Sequence, residues 1–235
     1  MGSIGEKHLS RLAMPKTWKI KRKGIKWIIR PLPGTHSMDR SIPLNLVFKY
    51  LLNYTRTSKE VKGILNNQGV FVDGIRRKNL KFSIGFMDVL SIPKLDKYFR
   101  VLLTQKGKLR LLPIEEKESN IKLCRIKNKT SVKKKIQLNL GDGRNILVEK
   151  DEFKVRDTIV IEVPSQKIKE VLKLEKGNLA YLTGGKHVGE VGTIEDLKQD
   201  KLIYKRGKKL FETSLNFAFV IGKKEPVISL SEDKK

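Results

Sequence analysis

Glycine, proline and aspartate cut the second half of this chain into short apolar runs, none long enough for an extended helix. The runs at 109–112, 121–126, 136–140, 146–148 and 158–163 alternate or are rich in β-branched residues. Gly141-Asp142-Gly143 is a turn signal between two of them, and Pro164 ends the last. Short strands at regular spacing with polar turns fold as a small barrel or sandwich. Residues 106–172 therefore read as a central all-β, barrel-like domain. Gly177, Gly184, Gly185, Gly189 and Gly192 then punctuate equally short runs around Ala180, Leu182, Val191 and Ile194. Dense glycine in a β context marks tight turns, bulges or close backbone approach. Leu210, Phe211, Leu215, Phe217, Phe219 and Val220 can close this third module, over residues 173–222. The polar residues 229–235 are expected to fray, in a tail that starts at 223.

Upstream the pattern changes. Leu44, Val47, Phe48, Leu51 and Leu52 fall at helical spacing, and Tyr54-Thr55-Arg56 breaks the stripe. Thr57-Ser-Lys-Glu60 is a capping box for a second helix whose buried face is Val61, Ile64 and Leu65. Asn66-Asn67-Gln68-Gly69 stops it. A strand at 70–72 and the hairpin turn Asp73-Gly74 follow, with Arg76, Arg77, Lys78 and Lys81 just beyond, and further strands at 87–92 and 98–103. Residues 43–105 are thus a helix–helix–strand–turn–strand module, and the chain as a whole is α+β and multidomain.

Charge decides what class of partner to expect. The formal net charge is +26, and the first 112 residues carry +18 of it, from 24 basic and 6 acidic residues. A field this polarised seeks a polyanion at one end. Residues 1–42 form a basic extension with no sustained period; alone, they bury too little apolar surface to order. Both tryptophans, Trp18 and Trp27, lie in it beside Lys16, Lys19, Lys21, Arg22, Lys23, Lys26 and Arg30. Aromatics among cations suit a segment that stacks on bases while Lys and Arg meet phosphates. Each ring has a second reading, packing back onto the protein. The cationic run Lys122, Arg125, Lys127, Lys129, Lys133, Lys134 and Lys135 likewise reads either as a solvated loop or as an RNA contact.

Other classes find little support. The longest purely apolar run, 217–221, is far short of the ~20 residues of a membrane helix. The basic–apolar alternation of the N-terminus is not a secretory signal pattern. The single cysteine, Cys124, allows no intrachain disulfide, indicates a reducing compartment, and sits in a strand-like run as a core residue would. Gly184-Gly185-Lys186 lacks the spacing and the following Ser or Thr of a phosphate loop, since His187 stands there. His8, His36 and His187 are too scattered for a zinc site. No cofactor, metal, small-molecule substrate or catalytic residue is expected.

The chain resembles the S4e family of small-subunit ribosomal proteins of archaea and eukaryotes. The resemblance rests on the tracts at 7–13, 21–27, 30–37, 41–44, 72–74, 86–93 and 136–145, and most specifically on 173–187, Lys-Leu-Glu-Lys-Gly-Asn-Leu-Ala-Tyr-Leu-Thr-Gly-Gly-Lys-His. It implies that 43–105 is an S4-like RNA-binding fold, presenting Arg56, Thr57, Lys59 and Lys62 at the second helix and Val72, Asp73, Gly74 and Arg76 at the turn. It implies a KOW motif over 174–200, within an SH3-like β module, with Lys186 and His187 toward RNA. It adds Lys7, His8, Arg11 and His36 to the RNA-facing set. The expected role is a structural constituent of the small subunit, cytoplasmic and monomeric within the ribosome, bound to small-subunit ribosomal RNA beside neighbouring ribosomal proteins. The alternatives are a free translation or transcription factor and a subunit of an RNA-modifying enzyme.

Overall fold

A computed structural model describes residues 8–132, 135–207 and 209–230, with Gln68 as main chain only. β1 (Leu9–Ser10) pairs with β2 (Trp27–Ile28). β3 (Ser41–Pro43) leads into α1 (Leu44–Leu46), which widens into a π-helical turn over Val47–Leu51. Leu44, Val47 and Phe48 are fully buried, as their helical spacing predicts. α2 (Ser58–Ile64) runs on through a second π turn, Leu65–Gly69. The strands β4 (Phe71–Val72), β5 (Ile75–Arg76), β6 (Ser83–Gly85), β7 (Val89–Ile92), β8 (Lys97–Leu103) and β9 (Leu109–Ile114) follow. β6 pairs with β3, and the rest form an antiparallel sheet in the order β5-β4-β7-β8-β9. The strand at 109–114 thus completes this first sheet instead of opening the next, because its register with β8 runs from Leu109 opposite Leu103 to Ile114 opposite Tyr98.

The short helix α3 (Glu116–Ser119) precedes a second sheet of β10 (Ile121–Val132), β11 (Lys135–Leu140), β12 (Asn145–Val148), β13 (Thr158–Glu162) and β14 (Ile168–Leu172), ordered β12-β11-β10-β13-β14. The two-residue period of a strand divides this sheet between two cores. Cys124, Ile126, Ile159 and Ile161 pack with Leu138 and Leu140 on one face. Leu123 and Val160 point the other way, into a core shared by all three sheets.

The third sheet joins β15 (Leu179–Leu182), β16 (Val191–Lys198), β17 (Lys201–Arg206), β18 (Lys209–Ser214) and β19 (Ala218–Gly222) in the order β18-β17-β16-β15-β19. Its Leu182 and Val220 meet Met87 and Leu102 of the first sheet in the shared core. Each such side chain contributes roughly 1.5–3 kcal/mol when fully buried. Polar contacts fix the seam. Tyr181 Oη donates to Leu103 O (2.7 Å) and accepts from Leu103 N (3.2 Å). Gly189, at φ +79°, sits so near the first sheet that a Cβ would stand 2.6 Å from Thr104 O. Only glycine fits that approach.

Two expectations about the ends need correction. Residues 8–42 are packed: Leu9, Met14 and Trp18 join the core of the helix pair and first sheet, and Leu109 N donates to Thr17 O. The rest of the chain supplies the apolar partners that this segment lacks by itself. At the other end, Ser229 N and Oγ donate to Glu118, and Arg110 donates to Leu230 O, so both residues are pinned. Residues 231–235 of the expected frayed tail, like Lys7, lie outside the described residues.

Candidate nucleic-acid interface

The capping box of α2 forms as the sequence requires. Thr57 Oγ1 accepts from Glu60 N (3.3 Å), and the Glu60 carboxylate accepts from Thr57 Oγ1 (2.7 Å) and Arg56 N (2.9 Å). The Thr57 hydroxyl, then the Arg56 N–H, hold this carboxyl below its ordinary range. Its charge is committed to the helix start and makes no ion pair with Arg56, Lys59 or Lys62, all exposed around it. At the other end of the helix, Arg76 donates to Asn66 O (2.7 Å) and Lys94 to Asn67 O (2.6 Å). Cations here face the negative end of the helix dipole. Lys97 donates to Tyr54 Oη (3.0 Å) and lies 5.1 Å over its ring.

The hairpin turn behaves differently. Asp73 (φ 50°) and Gly74 (φ 74°) are both left-handed, the geometry of a two-residue type I′ turn. The Asp73 side chain points inward. Lys122 Nζ, fully buried on β10, donates to Asp73 Oδ2 (2.7 Å) and Asp88 Oδ1 (2.6 Å) and lies 3.1 Å from Asp142 Oδ2. Arg144 donates to Asp73 Oδ2 (2.7 Å), and His36 Nε2 lies 2.9 Å from Asp88. Burial opposes ionisation of Asp88, but Lys122 and then His36 outweigh it and hold its carboxyl well below the usual range. Burial also opposes the charge on Lys122, yet Asp88 and Asp73 raise its ammonium well above the ordinary lysine value. Asp73 goes the other way, because its desolvation exceeds what Lys122 returns. Burial likewise pushes the Cys124 thiol up, beside Asp142. This network fastens the hairpin of the first sheet to the second.

In the N-terminal segment one guanidinium organises a loop. Buried Arg11 donates to Ile25 O (2.9 Å), Lys21 O (2.9 Å) and Tyr50 Oη (3.2 Å). The chain from 21 to 26 wraps around it and leaves Lys21, Arg22, Lys23 and Lys26 exposed. Trp27 follows, 53% exposed, with His8 at 5.5 Å on one side and Lys26 5.1 Å over the ring.

Ion pairing divides the molecule. Among the described residues, none of the 19 lysines and arginines between 8 and 99 has a carboxylate within 4.0 Å. From 100 to 230, 12 of 26 do, including Lys129, Lys135, Lys169, Lys176, Lys201, Arg206 and Lys223. The unpaired cations line the basic loop, the start of α2 and the end beside Asn66 and Asn67, and their field is uncancelled.

Known proteins place this arrangement. The ribosomal family S4e matches residues 95–168, and the RS4NT (NUC023) domain matches residues 4–39. The chain is 45% identical to a small ribosomal subunit protein eS4 of Methanosphaera stadtmanae, over 99% of this chain and 100% of that one. The chain belongs to the S4e family of ribosomal proteins. A second eS4 protein, from Methanothermobacter thermautotrophicus, is 42% identical over 97% of each chain. The crystal structure of the 30S ribosomal protein S4e from Thermoplasma acidophilum superposes with a TM-score of 0.70 at 32% identity, covering 79% of this chain and 96% of that one. Like its family, the fold is mostly β with few helices.

Several residues expected to face RNA stand elsewhere. Trp18 is 2% exposed and its Nε1 donates to Ser41 O (2.6 Å), so it is a core residue and no stacking platform. Arg11, His36, Val72 and Asp73 have their side chains buried, Arg11 and Val72 as scaffold and His36 and Asp73 in the ion network. Lys122, from the cationic run, is in the same network; the run from Lys122 to Lys129 lies on β10, Lys135 opens β11, and Lys133 and Lys134 lie outside the described residues. His187 packs 4.6 Å from Phe211 and lies 3.3 Å from Glu190. His8, Lys16, Lys21, Arg22, Lys23, Lys26, Trp27, Arg56, Thr57, Lys59, Lys62, Gly74, Arg76, Lys78, Lys81 and Lys186 are exposed. Arg30 and Arg77 are half-buried, Arg77 lying 4.3 Å over the Phe82 ring. Sequence reasoning missed Lys94 and Lys97. The signal was their place after Pro93, opposite the helix end, which only the tertiary fold brings together.

Proposed function

We propose that the chain is a structural constituent of the small ribosomal subunit, cytoplasmic and present as a single copy, that binds small-subunit ribosomal RNA beside neighbouring ribosomal proteins. The observation that carries this is the set of unpaired cations between 8 and 99. Such a surface binds by neutralising phosphates, and A-form RNA offers phosphate and 2′-OH groups far more readily than base edges. We read the helix pair and first sheet, residues 43–114, as an S4-like module, the second sheet, residues 121–172, as a barrel-like domain and 173–222 as a KOW-containing, SH3-like module. The helix pair leading into a two-residue hairpin supports the first reading, and the glycine-rich approach at Gly189 supports the last. The eS4 relatives match this chain over almost their whole length.

Sedimentation of native lysate through a high-salt sucrose gradient tests the proposal. Stoichiometric recovery of the chain with the small subunit is the expected result. Recovery only at the top of the gradient makes it a transient RNA-binding factor and overturns the reading.

A further inference from the structure

Where the three sheets meet they leave a cleft of about 830 Å³. Its walls are apolar, with Phe86 and Met87 from the first sheet's loops, Leu123 from β10, and Val188 and Phe219 from the third sheet. Cations gather in its lining. Arg40 comes from the turn Met38–Arg40, Arg125 and Lys127 from β10, and Arg156 from the loop before β13. Arg125 donates to Asn216 O (2.6 Å) and Leu215 O (3.3 Å), which fixes its guanidinium across the seam. Burial, and then repulsion from Arg156 and Arg40, push that guanidinium down to about 10.

Little within the protein neutralises this group. Among the described residues, Arg40 and Arg125 have no carboxylate within 4.0 Å, and Arg156 has only the exposed Asp200 at 3.6 Å. Two carboxylates line the cleft, Asp39 and Asp142, and Asp142 is already held by Lys122 and Arg144. Against them stand Arg40, Arg125, Lys127 and Arg156, while Lys122 is already shared among Asp73, Asp88 and Asp142. Guanidinium groups close enough to repel one another are relieved by an anion between them. The planar fork of arginine suits phosphate oxygens. The volume lies in the range of small-ligand pockets, roughly 300–1,000 Å³. That admits one or two nucleotides and excludes a duplex.

We propose that this cleft is a phosphate pocket for an unpaired segment of ribosomal RNA, with one backbone phosphate on Arg40, Arg125 and Arg156 and the adjoining nucleotide against the apolar walls. Looped strands with splayed bases are the form of RNA that proteins admit into such pockets. The inference rests on the ribosomal-RNA reading above and adds a site formed by no single sheet.

The test uses the full chain and a small-subunit ribosomal RNA transcript carrying 4-thiouridine. Arg40→Gln with Arg156→Gln should lower affinity about tenfold and reduce the salt slope by about 0.7 for the lost phosphate. Crosslinks from wild-type protein should map to peptides holding Phe86 or Phe219. If the double variant melts early, Arg40→Gln alone, at an exposed position, must show a loss in the same direction. Unchanged affinity and slope, with crosslinks confined to residues 8–82, overturn the pocket and leave the ribosomal-RNA reading standing. A nucleoside monophosphate that binds the cleft and displaces no RNA assigns the site to a free nucleotide and overturns it as well. If the wild type binds no transcript, the ribosomal-RNA reading has failed, and the pocket with it.

Discussion

Residues 8–99 and residues 100–230 carry lysine and arginine at nearly the same density, yet the two regions hold five and seventeen acidic residues. In the second region carboxylates sit across from cations on neighbouring strands, as Lys201 and Glu212 do on β17 and β18. In the first, Glu60 caps a helix, and Asp73 and Asp88 turn inward to Lys122. The buried network therefore does two things. It joins two sheets, and it withdraws two carboxylates from a surface whose cations stay free. Total charge says that a polyanion is wanted. The whereabouts of the acids says which cations are left without a carboxylate.

Breaking the network should have the largest effect. Lys122→Met leaves Asp73, Asp88 and Asp142 facing a buried space with one fewer cation. Removing one partner of a buried ion pair costs about 3–5 kcal/mol, which lowers Tm by about 10 °C for a chain of this size. The wild type carries a pH signature. Asp88 and Asp142 are held below the ordinary carboxyl value, so their contribution is full above the unfolded value near ~3.9 and is lost as pH falls through the folded values. Lys122 is raised, so its contribution is full below ~10.4 and is lost as pH rises through its folded value. Asp73, pushed up by burial, opposes the acid limb and makes it shallower. A Lys122→Met protein with wild-type Tm and an unaltered acid limb would show that the network is dispensable.

The two tryptophans sharpen the comparison within the basic segment itself. Trp18→Ala should cost about 3–5 kcal/mol of stability, as large-to-small changes in a core do. Trp27→Ala should leave melting in place and weaken RNA binding by about 1–3 kcal/mol, the range for a lost base stack. Equal thermal shifts in the two variants would mean that Trp27 is also structural. The smallest effect is expected from Lys201→Gln with Glu212→Gln. That exposed pair should be removable with no change in Tm or in the salt dependence of RNA binding, whereas Lys59→Gln with Lys62→Gln should lower the salt slope. Identical slopes for the two double variants would erase the distinction between paired and unpaired regions.

Local signals were legible where local physics decides. The capping box, the Asp73-Gly74 turn and most strands follow from spacing and turn chemistry. β14 escaped notice because its alternation is diluted by Lys169 and Glu170. The joining of β9 to the first sheet is a matter of register with β8, which composition does not encode. For the candidate interface, the exposed cations near the capping box and in the 21–26 loop were legible, because Lys and Arg announce themselves. Trp18, Arg11 and Asp73 look like RNA contacts in one dimension for the same reason that they are useful inside. Each pairs an apolar or charged body with a polar handle that needs a partner, and in the fold the partners are Ser41 O, the loop carbonyls and Lys122.

The core shared among the three sheets has a consequence for synthesis. The cluster around the helix pair draws on residues from Leu9 to Leu109, so it can close while the rest of the chain is still being made. The shared cluster cannot. It needs Val220 and Ile221 of β19 and then Ile228, at the far end of the sequence. Met87 and Leu102 must wait for them through more than a hundred further residues. During that interval the nascent chain presents a basic first half with its own core closed and an open apolar seam, so the surface proposed to meet RNA forms before the protein is whole.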